Sequence, residues 1–93
     1  NLTYLYLNTN QLSGEIPPEI GDLENLTNLG LQGNQLTGEI PSEIGNLTNL
    51  TVLSLWSNQL TGEIPLEVCD LMESNNIDMW RILNGNNLTN TCE

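Results

Sequence analysis

The chain contains no histidine, no lysine and no phenylalanine, a single basic residue, Arg81, and two cysteines in 93 residues. Each absence removes a class of protein. Without histidine or lysine the usual acids, bases and nucleophiles are missing, so no enzyme is expected. Twelve acidic residues against one basic residue give a formal charge of -11, and nucleic acid or an anionic membrane surface would repel such a chain. No apolar run approaches the roughly 18 residues of a membrane helix, so this segment is not expected to insert into a membrane. No signal-peptide leader is present either, as would hold for a processed or truncated secreted chain. Two tryptophans and two tyrosines argue against a wide globular core, while leucine and isoleucine at fixed spacing could fill a narrow one. A domain this small usually needs added support, and the cysteines are the candidates for it.

What is present is self-similarity. NLTYLYLNTNQLSGEIPPEIGDLE (1–24) recurs as NLTNLGLQGNQLTGEIPSEIGNLT (25–48) and NLTVLSLWSNQLTGEIPLEVCDLM (49–72), a period of 24 without a gap. Leucine recurs at position 2 (Leu2, Leu26, Leu50), position 5 (Leu5, Leu29, Leu53), position 7 (Leu7, Leu31, Leu55) and position 12 (Leu12, Leu36, Leu60), and all twelve are expected in the core. Alternation at positions 5 and 7 is that of a strand with one buried face, and the constant return lays each strand parallel to the last. Asn10, Asn34 and Asn58 close each strand, where a stacked amide could satisfy backbone groups left unpaired by the turn. Gly14, Gly38 and Gly62 then permit a turn, and Ile-Pro holds an extended path into a short helical turn through Glu-Ile-Gly-x-Leu. Ile16, Ile40, Ile64, Ile20, Ile44, Val68, Leu23, Leu47 and Leu71 should close the far side of each layer.

The pattern L-x-x-L-x-L-x-x-N-x-L-[ST]-G-E-I-P over residues 1–72 resembles the extracellular leucine-rich repeats of plant receptor kinases and cell-wall enzyme inhibitors, and of similar secreted bacterial and algal proteins. The resemblance implies an α/β leucine-rich-repeat solenoid, with a parallel β-sheet on the concave side and short helical or irregular turns on the convex side. It also implies recognition of a protein, peptide or glycan on the strand face, with no catalytic residues and no cofactor.

The ends differ. Residues 73–93 read as a degenerate fourth repeat forming a C-terminal cap, in which Leu83, Asn86 and Leu88 stand where Leu55, Asn58 and Leu60 stood, after a four-residue insertion within ESNN (73–76). That alignment puts Arg81 in place of a core leucine. Cys69 replaces the glycine of positions 21 and 45, and a disulfide to Cys92 would tie the last segment to the third repeat, with about 3 kcal/mol of stabilisation in the chain-entropy model. Two free thiols are the alternative. A bridge would place the protein outside the cytoplasm, secreted or at a cell surface. No N-terminal cap precedes the first repeat; either further repeats come before it in a longer array, or this end associates with another copy.

Comparison of the three repeats points to a face. Positions 4, 6, 8 and 9 differ in every copy, whereas the exposed positions 11, 15 and 19 stay Gln, Glu and Glu. The expected ligand-binding residues on the concave face are therefore Tyr4, Tyr6, Asn8, Asn28, Gln32, Val52, Ser54 and Trp56, with the aromatic rings as anchors; unconstrained drift of exposed positions would give the same variation. The stacked rows Glu15, Glu39, Glu63 and Glu19, Glu43, Glu67 form a solvated acidic face, with calcium as the alternative occupant but no calcium-loop spacing beside them. Because these carboxylates recur identically in every layer, they do not form a glycosidase pair. The alternative function is structural, with solenoids stacked end to end through the uncovered first layer into a fibre or surface lattice, and the aligned Ser13, Thr37 and Thr61 raise ice or crystalline polysaccharide as a minor alternative. Sequons at Asn1, Asn25, Asn46, Asn49 and Asn87 could carry glycans, although most follow from the Asn-Leu-Thr phrase of the repeat itself.

Overall fold

The computed structural model describes residues 2–92. Each repeat forms one layer. The first holds β1 (Tyr4–Tyr6), β2 (Ser13–Glu15) and a 3-10 turn (Pro18–Asp22); the second holds β3 (Asn28–Gly30), β4 (Gln35–Gly38) and a 3-10 turn (Ser42–Asn46). The third holds β5 (Val52–Ser54), β6 (Gln59–Glu63) and a full helix, α1 (Leu66–Asn75), and the chain ends in α2 (Trp80–Leu83) and β7 (Asn87–Thr89). Proline sets the helical starts: Pro17, Pro41 and Pro65 occupy the residue before each turn or helix in an extended conformation, where a missing N–H costs nothing.

Two parallel sheets result, β1-β3-β5 and β2-β4-β6-β7. The second was not expected, because its strands are short, centred on glycine and lack alternation. The sheets differ in register. Tyr4 pairs with Asn28, a full period away, but Ser13 pairs with Gln35, two residues short of one, and Thr37 with Gln59. Layers in the second sheet therefore slip by roughly 6–7 Å along the strand at each step. As a consequence Ser13, Thr37 and Thr61 do not face one another as a straight row; Glu15 stands opposite Thr37 and Glu63 opposite Thr89.

The core is a leucine and isoleucine stack between the sheets and the turns. Leu26, Leu29, Leu47, Leu50, Leu53, Leu55 and Leu60 are fully buried. The first layer departs from the expectation: Leu2, Leu7 and Leu12 are 45%, 40% and 39% exposed, because among the described residues no layer covers their outer side. Burial in a stack comes from the neighbouring layer rather than from the residue's own position.

Buried asparagines bind the layers. The Asn34 amide donates to Leu31 O at 2.9 Å and across to Leu7 O at 3.0 Å, while its Oδ1 accepts from Asn10 N at 3.1 Å and Leu12 N at 3.2 Å. Asn58 repeats this one layer on, donating to Leu55 O and Leu31 O and accepting from Leu36 N. Asn86 does so again toward Leu55 O and Leu60 N.

The last layer corrects the alignment read from sequence. Ile82, not Leu83, is the fully buried residue, and Arg81 is exposed rather than in the core. One inserted residue falls between Ile82 and Asn86, whose amide reaches four residues back to Ile82 O where Asn34 and Asn58 reach three; the others lengthen the third helical turn into α1. Pattern alone could not choose between adjacent apolar residues. In place of a fourth strand, α2 lies against the open edge of β5, with Leu55 N donating to Arg81 O at 2.8 Å.

Cys69 and Cys92 form a disulfide with Cα atoms 5.4 Å apart. The glycine that Cys69 replaces is required elsewhere by close approach: a Cβ on Gly21 would lie 2.6 Å from Glu43 O, and on Gly45 2.7 Å from Glu67 Cβ and 2.9 Å from Glu67 O. Cys69 needs no such clearance, since among the described residues no further helical turn packs on α1. Gly45→Ala should therefore destabilise the fold by about 1–3 kcal/mol through overpacking against backbone, measurable by urea denaturation followed by far-ultraviolet circular dichroism.

Candidate functional site

The residues singled out by inter-repeat variation lie together on the outer side of the first sheet. Leu5, Leu29 and Leu53 point inward from the middle of each strand, which turns the flanking residues outward. The register makes Tyr4, Asn28 and Val52 one row and Tyr6, Gly30 and Ser54 the next. Asn8, Gln32 and Trp56 form a third row just past the strands, where Thr9 N and Gly33 N donate to the carbonyls of Gln32 and Trp56.

The face is uneven. At its first-layer edge Tyr4 and Tyr6 are 59% and 52% exposed, with ring centroids 6.1 Å apart in an edge-to-face pair. Gly30 forms a notch in the middle that Tyr6 leans across: a Cβ there would lie 2.7 Å from Tyr6 Cδ1 and 3.2 Å from Gln32 Oε1. Asn28 is half-buried and accepts from Thr27 Oγ1 at 2.8 Å, and Val52 and Asn8 are half-buried. Ser54 does not present a free surface. It is buried, and its hydroxyl takes a hydrogen bond from Arg81 Nη1 at 3.4 Å.

At the far edge α2 adds two residues that the repeat comparison missed. Trp80 is 56% exposed, with its ring centroid 6.1 Å from that of Trp56, and Arg81 stands beside Ser54. They were missed because they belong to no repeat position. The signal available was that an apolar Trp80 and the sole cation fall together in the segment that breaks the period. Two polar atoms of the face, Gln32 Oε1 and Trp56 Nε1, are enclosed without a hydrogen-bond partner among the described residues. No acidic residue belongs to any of the three rows.

The acidic ladders lie elsewhere. Glu15 lies over Gly38 and Glu39 over Gly62, where an added Cβ would come within 2.8 Å and 3.0 Å of the glutamate Cγ atoms. The carboxylates thus splay across the next layer, and among the described residues no group of three or more His, Cys, Asp or Glu side chains could hold a metal ion. The sequon asparagines Asn25, Asn46, Asn49 and Asn87 are exposed, and Asn1 lies outside the described residues. Two sequon threonines serve the stack: Thr51 Oγ1 donates to Thr27 O at 3.2 Å, and Thr27 Oγ1 lies 3.2 Å from Thr3 O, its one hydrogen shared between that carbonyl and Asn28 Oδ1. Among the described residues no helix is long and apolar enough to cross a membrane.

A family model described as Leucine Rich Repeat matches residues 1–23, and one described as Leucine Rich repeats (2 copies) matches residues 24–68. Among solved structures, a chain of the BIR3–SERK2 complex from Arabidopsis thaliana is 38% identical, covering 94% of this chain and 45% of that one with a TM-score of 0.78. The Arabidopsis receptor kinase HAESA in complex with the peptide hormone IDA and the co-receptor SERK1 matches at 55% identity over 72% of this chain and 11% of that one, with a TM-score of 0.69. A plant ice-binding protein is 38% identical over 89% of this chain and 26% of its own, with a TM-score of 0.78. The chain thus spans less than half the length of each of these. No curated protein matches it in sequence.

Position 9 carries a backbone constraint that its variation hides. Thr9, Gly33, Ser57 and, in the last layer, Gly85 all have positive φ, of 57°, 73°, 58° and 74°, because the chain turns inward there through the left-handed region. Thr9 and Ser57 adopt it at a cost that glycine avoids. Ser57→Gly should raise stability by about 1 kcal/mol, read as an increase in the midpoint of thermal unfolding.

Proposed function

Because the chain belongs to the leucine-rich-repeat family, we propose that it is part of an extracytoplasmic, non-catalytic recognition protein whose concave strand face binds an extended peptide or protein segment. The observation that carries this reading is the exposed Tyr4 and Tyr6 pair beside the Gly30 notch. Large rings that are already ordered supply contact area at low entropic cost, and the missing side chain at the buried Gly30 is what lets the Tyr6 ring lie across the sheet. Asn8, Asn28, Gln32, Val52 and Trp56 complete the surface, with Ser54 beneath Arg81 as part of its wall.

Three further observations support the reading. The Cys69–Cys92 disulfide belongs to an oxidising compartment. The similar HAESA structure is a complex with a peptide hormone and a co-receptor, and the similar BIR3–SERK2 structure is itself a complex of two proteins. The exposed Asn25, Asn46, Asn49 and Asn87 can accept glycans without displacing core residues.

The alternatives fit the geometry less well. Stacking of solenoids into a fibre needs two open ends, and α2 occupies one end of the first sheet. An ice or crystal lattice needs straight ranks of hydroxyls, and the slip of the second sheet staggers Ser13, Thr37 and Thr61.

A display library of random linear peptides, selected on the immobilised chain, tests the proposal. The selected peptides should lose at least about tenfold in affinity for Tyr4→Ala and for Tyr6→Ala, consistent with removing roughly 1.4 kcal/mol or more at an aromatic anchor. They should bind Glu43→Gln, on the opposite side, as tightly as the parent. Peptides indifferent to both tyrosines but sensitive to Glu43→Gln would contradict it.

A further inference from the structure

The peptide unit that links Asn84 to Gly85 is held on one side only. In each earlier layer the corresponding N–H is fastened to the next layer: Thr9 N donates to Gln32 O, Gly33 N to Trp56 O and Ser57 N to Asn84 O, at 2.9, 3.0 and 3.0 Å. Asn84 O thus receives its bond. Among the described residues, however, Gly85 N has no acceptor and the Asn84 side-chain amide has no partner, and both residues are exposed. We propose that Asn84 is a covalent modification site, at which the chain deamidates through its own backbone, and that the isoaspartate formed there unfastens the last layer.

Asn84 is the one asparagine of the chain followed by glycine. The Gly85 nitrogen gives up its proton and attacks Asn84 Cγ; a new C–N bond forms, the bond to the side-chain nitrogen breaks, and that nitrogen leaves as ammonia with the proton. The product is a five-membered imide. Water opens it at either carbonyl, at Cγ to give aspartate or at the backbone carbon to give isoaspartate, in which the main chain runs through Cγ. Nothing is oxidised or reduced, and water is the only co-reactant. Ring closure turns the planar peptide unit about the Asn84 Cα–C bond, and with its N–H side free only the bond from Ser57 N to Asn84 O opposes that turn.

The fold itself keeps glycine at this place. Gly85 has φ of 74°, and a Cβ there would lie 2.9 Å from Ser57 Cα. The residue that least hinders attack is therefore required where the attacking N–H is free. Asn8, at the same repeat position, precedes the β-branched Thr9, whose N–H is bonded. Gln32 precedes a glycine, but it would have to close a six-membered ring and Gly33 N is bonded.

The two products act differently on the stack. Aspartate keeps the backbone and adds one negative charge to the chain's -11. Isoaspartate adds the same charge, inserts a carbon into the main chain and takes the carbonyl that Ser57 N uses out of it. Just beyond, Asn86 ties the last layer to Leu55 O and Leu60 N, so a longer link before it draws that amide out of register. α2, which carries Trp80 and Arg81 at the far edge of the strand face, ends at Asn84.

The full chain, and beside it a free peptide of residues 82–87, would be held at mildly alkaline pH in oxygen-18 water and mapped by mass spectrometry with fragmentation that separates isoaspartate from aspartate. We expect Asn84 to react before every other asparagine, at a rate within about tenfold of the free peptide's, with oxygen-18 in both products. A rate lower than that would overturn the proposal, because the fold would then be holding the peptide unit, and so would earlier reaction at another asparagine. Asn84→Gln should show no reaction at that position. The isoaspartate form, separated by its added charge, should exchange its Leu60 amide about tenfold or more faster than the parent. Asn84→Asp, with the same charge and a normal backbone, should keep parental exchange there. Parental exchange in the isoaspartate form would overturn the proposal, as would an equal loss of protection in Asn84→Asp, which would assign the effect to charge.

Discussion

Everything in this structure depends on asparagine amides that tie each layer to the one before it, Asn34, Asn58 and Asn86. Asn34 and Asn58 are 8% and 7% exposed, and each spends its side chain on backbone groups of two layers at once. A chain that turns inward at the end of every strand strands carbonyls and amides in an apolar interior, where leaving one unpaired costs roughly 1–3 kcal/mol. The asparagine amide is suited to this because it both donates and accepts. Its geometry also dictates the turn that precedes it, and hence the left-handed residue at position 9 and the level at which position 8 emerges beside the strand face.

From that ladder the two sides of the molecule acquire different properties. On the first sheet the layers stack in register, so outward positions form straight rows, in which the large Tyr6 ring is accommodated by the missing side chain of Gly30 in the next layer. On the second sheet the two-residue slip sets Glu15 against Gly38 and Thr37 of the following layer and Glu39 over Gly62, and those positions stay glutamate, glycine and a hydroxyl residue (Ser13, Thr37, Thr61) among the repeats. Variation and constancy along the sequence thus follow from how each side is coupled between layers. That difference supports the proposal that recognition resides on the first sheet rather than the second.

Much of this was legible in the sequence because it is periodic. The buried leucines of the second and third layers, the asparagine ladder, the helical turns after proline and the bridge from Cys69 to Cys92 all follow from a 24-residue repeat and its last exceptions. What was not legible depends on contacts between layers. Leu2, Leu7 and Leu12 carry the same letters as their buried counterparts, yet a neighbouring layer decides their exposure. Ser54 looks like any variable strand residue until Arg81, from a segment outside the repeat, covers it. The choice of Ile82 over Leu83 as the interior residue turned on where one extra residue was absorbed, and two adjacent apolar side chains give pattern analysis no basis for that choice.

Native-state hydrogen exchange on Asn58→Ala tests most directly whether the ladder holds the stack together. In the parent, Leu36 N donates to Asn58 Oδ1 and Leu60 N to Asn86 Oδ1, both at 3.1 Å. If the amides bind the layers into one unit, the loss of Asn58 should reduce protection at the Leu36 amide by about tenfold or more, consistent with roughly 1–3 kcal/mol, and the Leu60 amide one layer away should fall with it. Parental exchange rates at both amides would contradict the account.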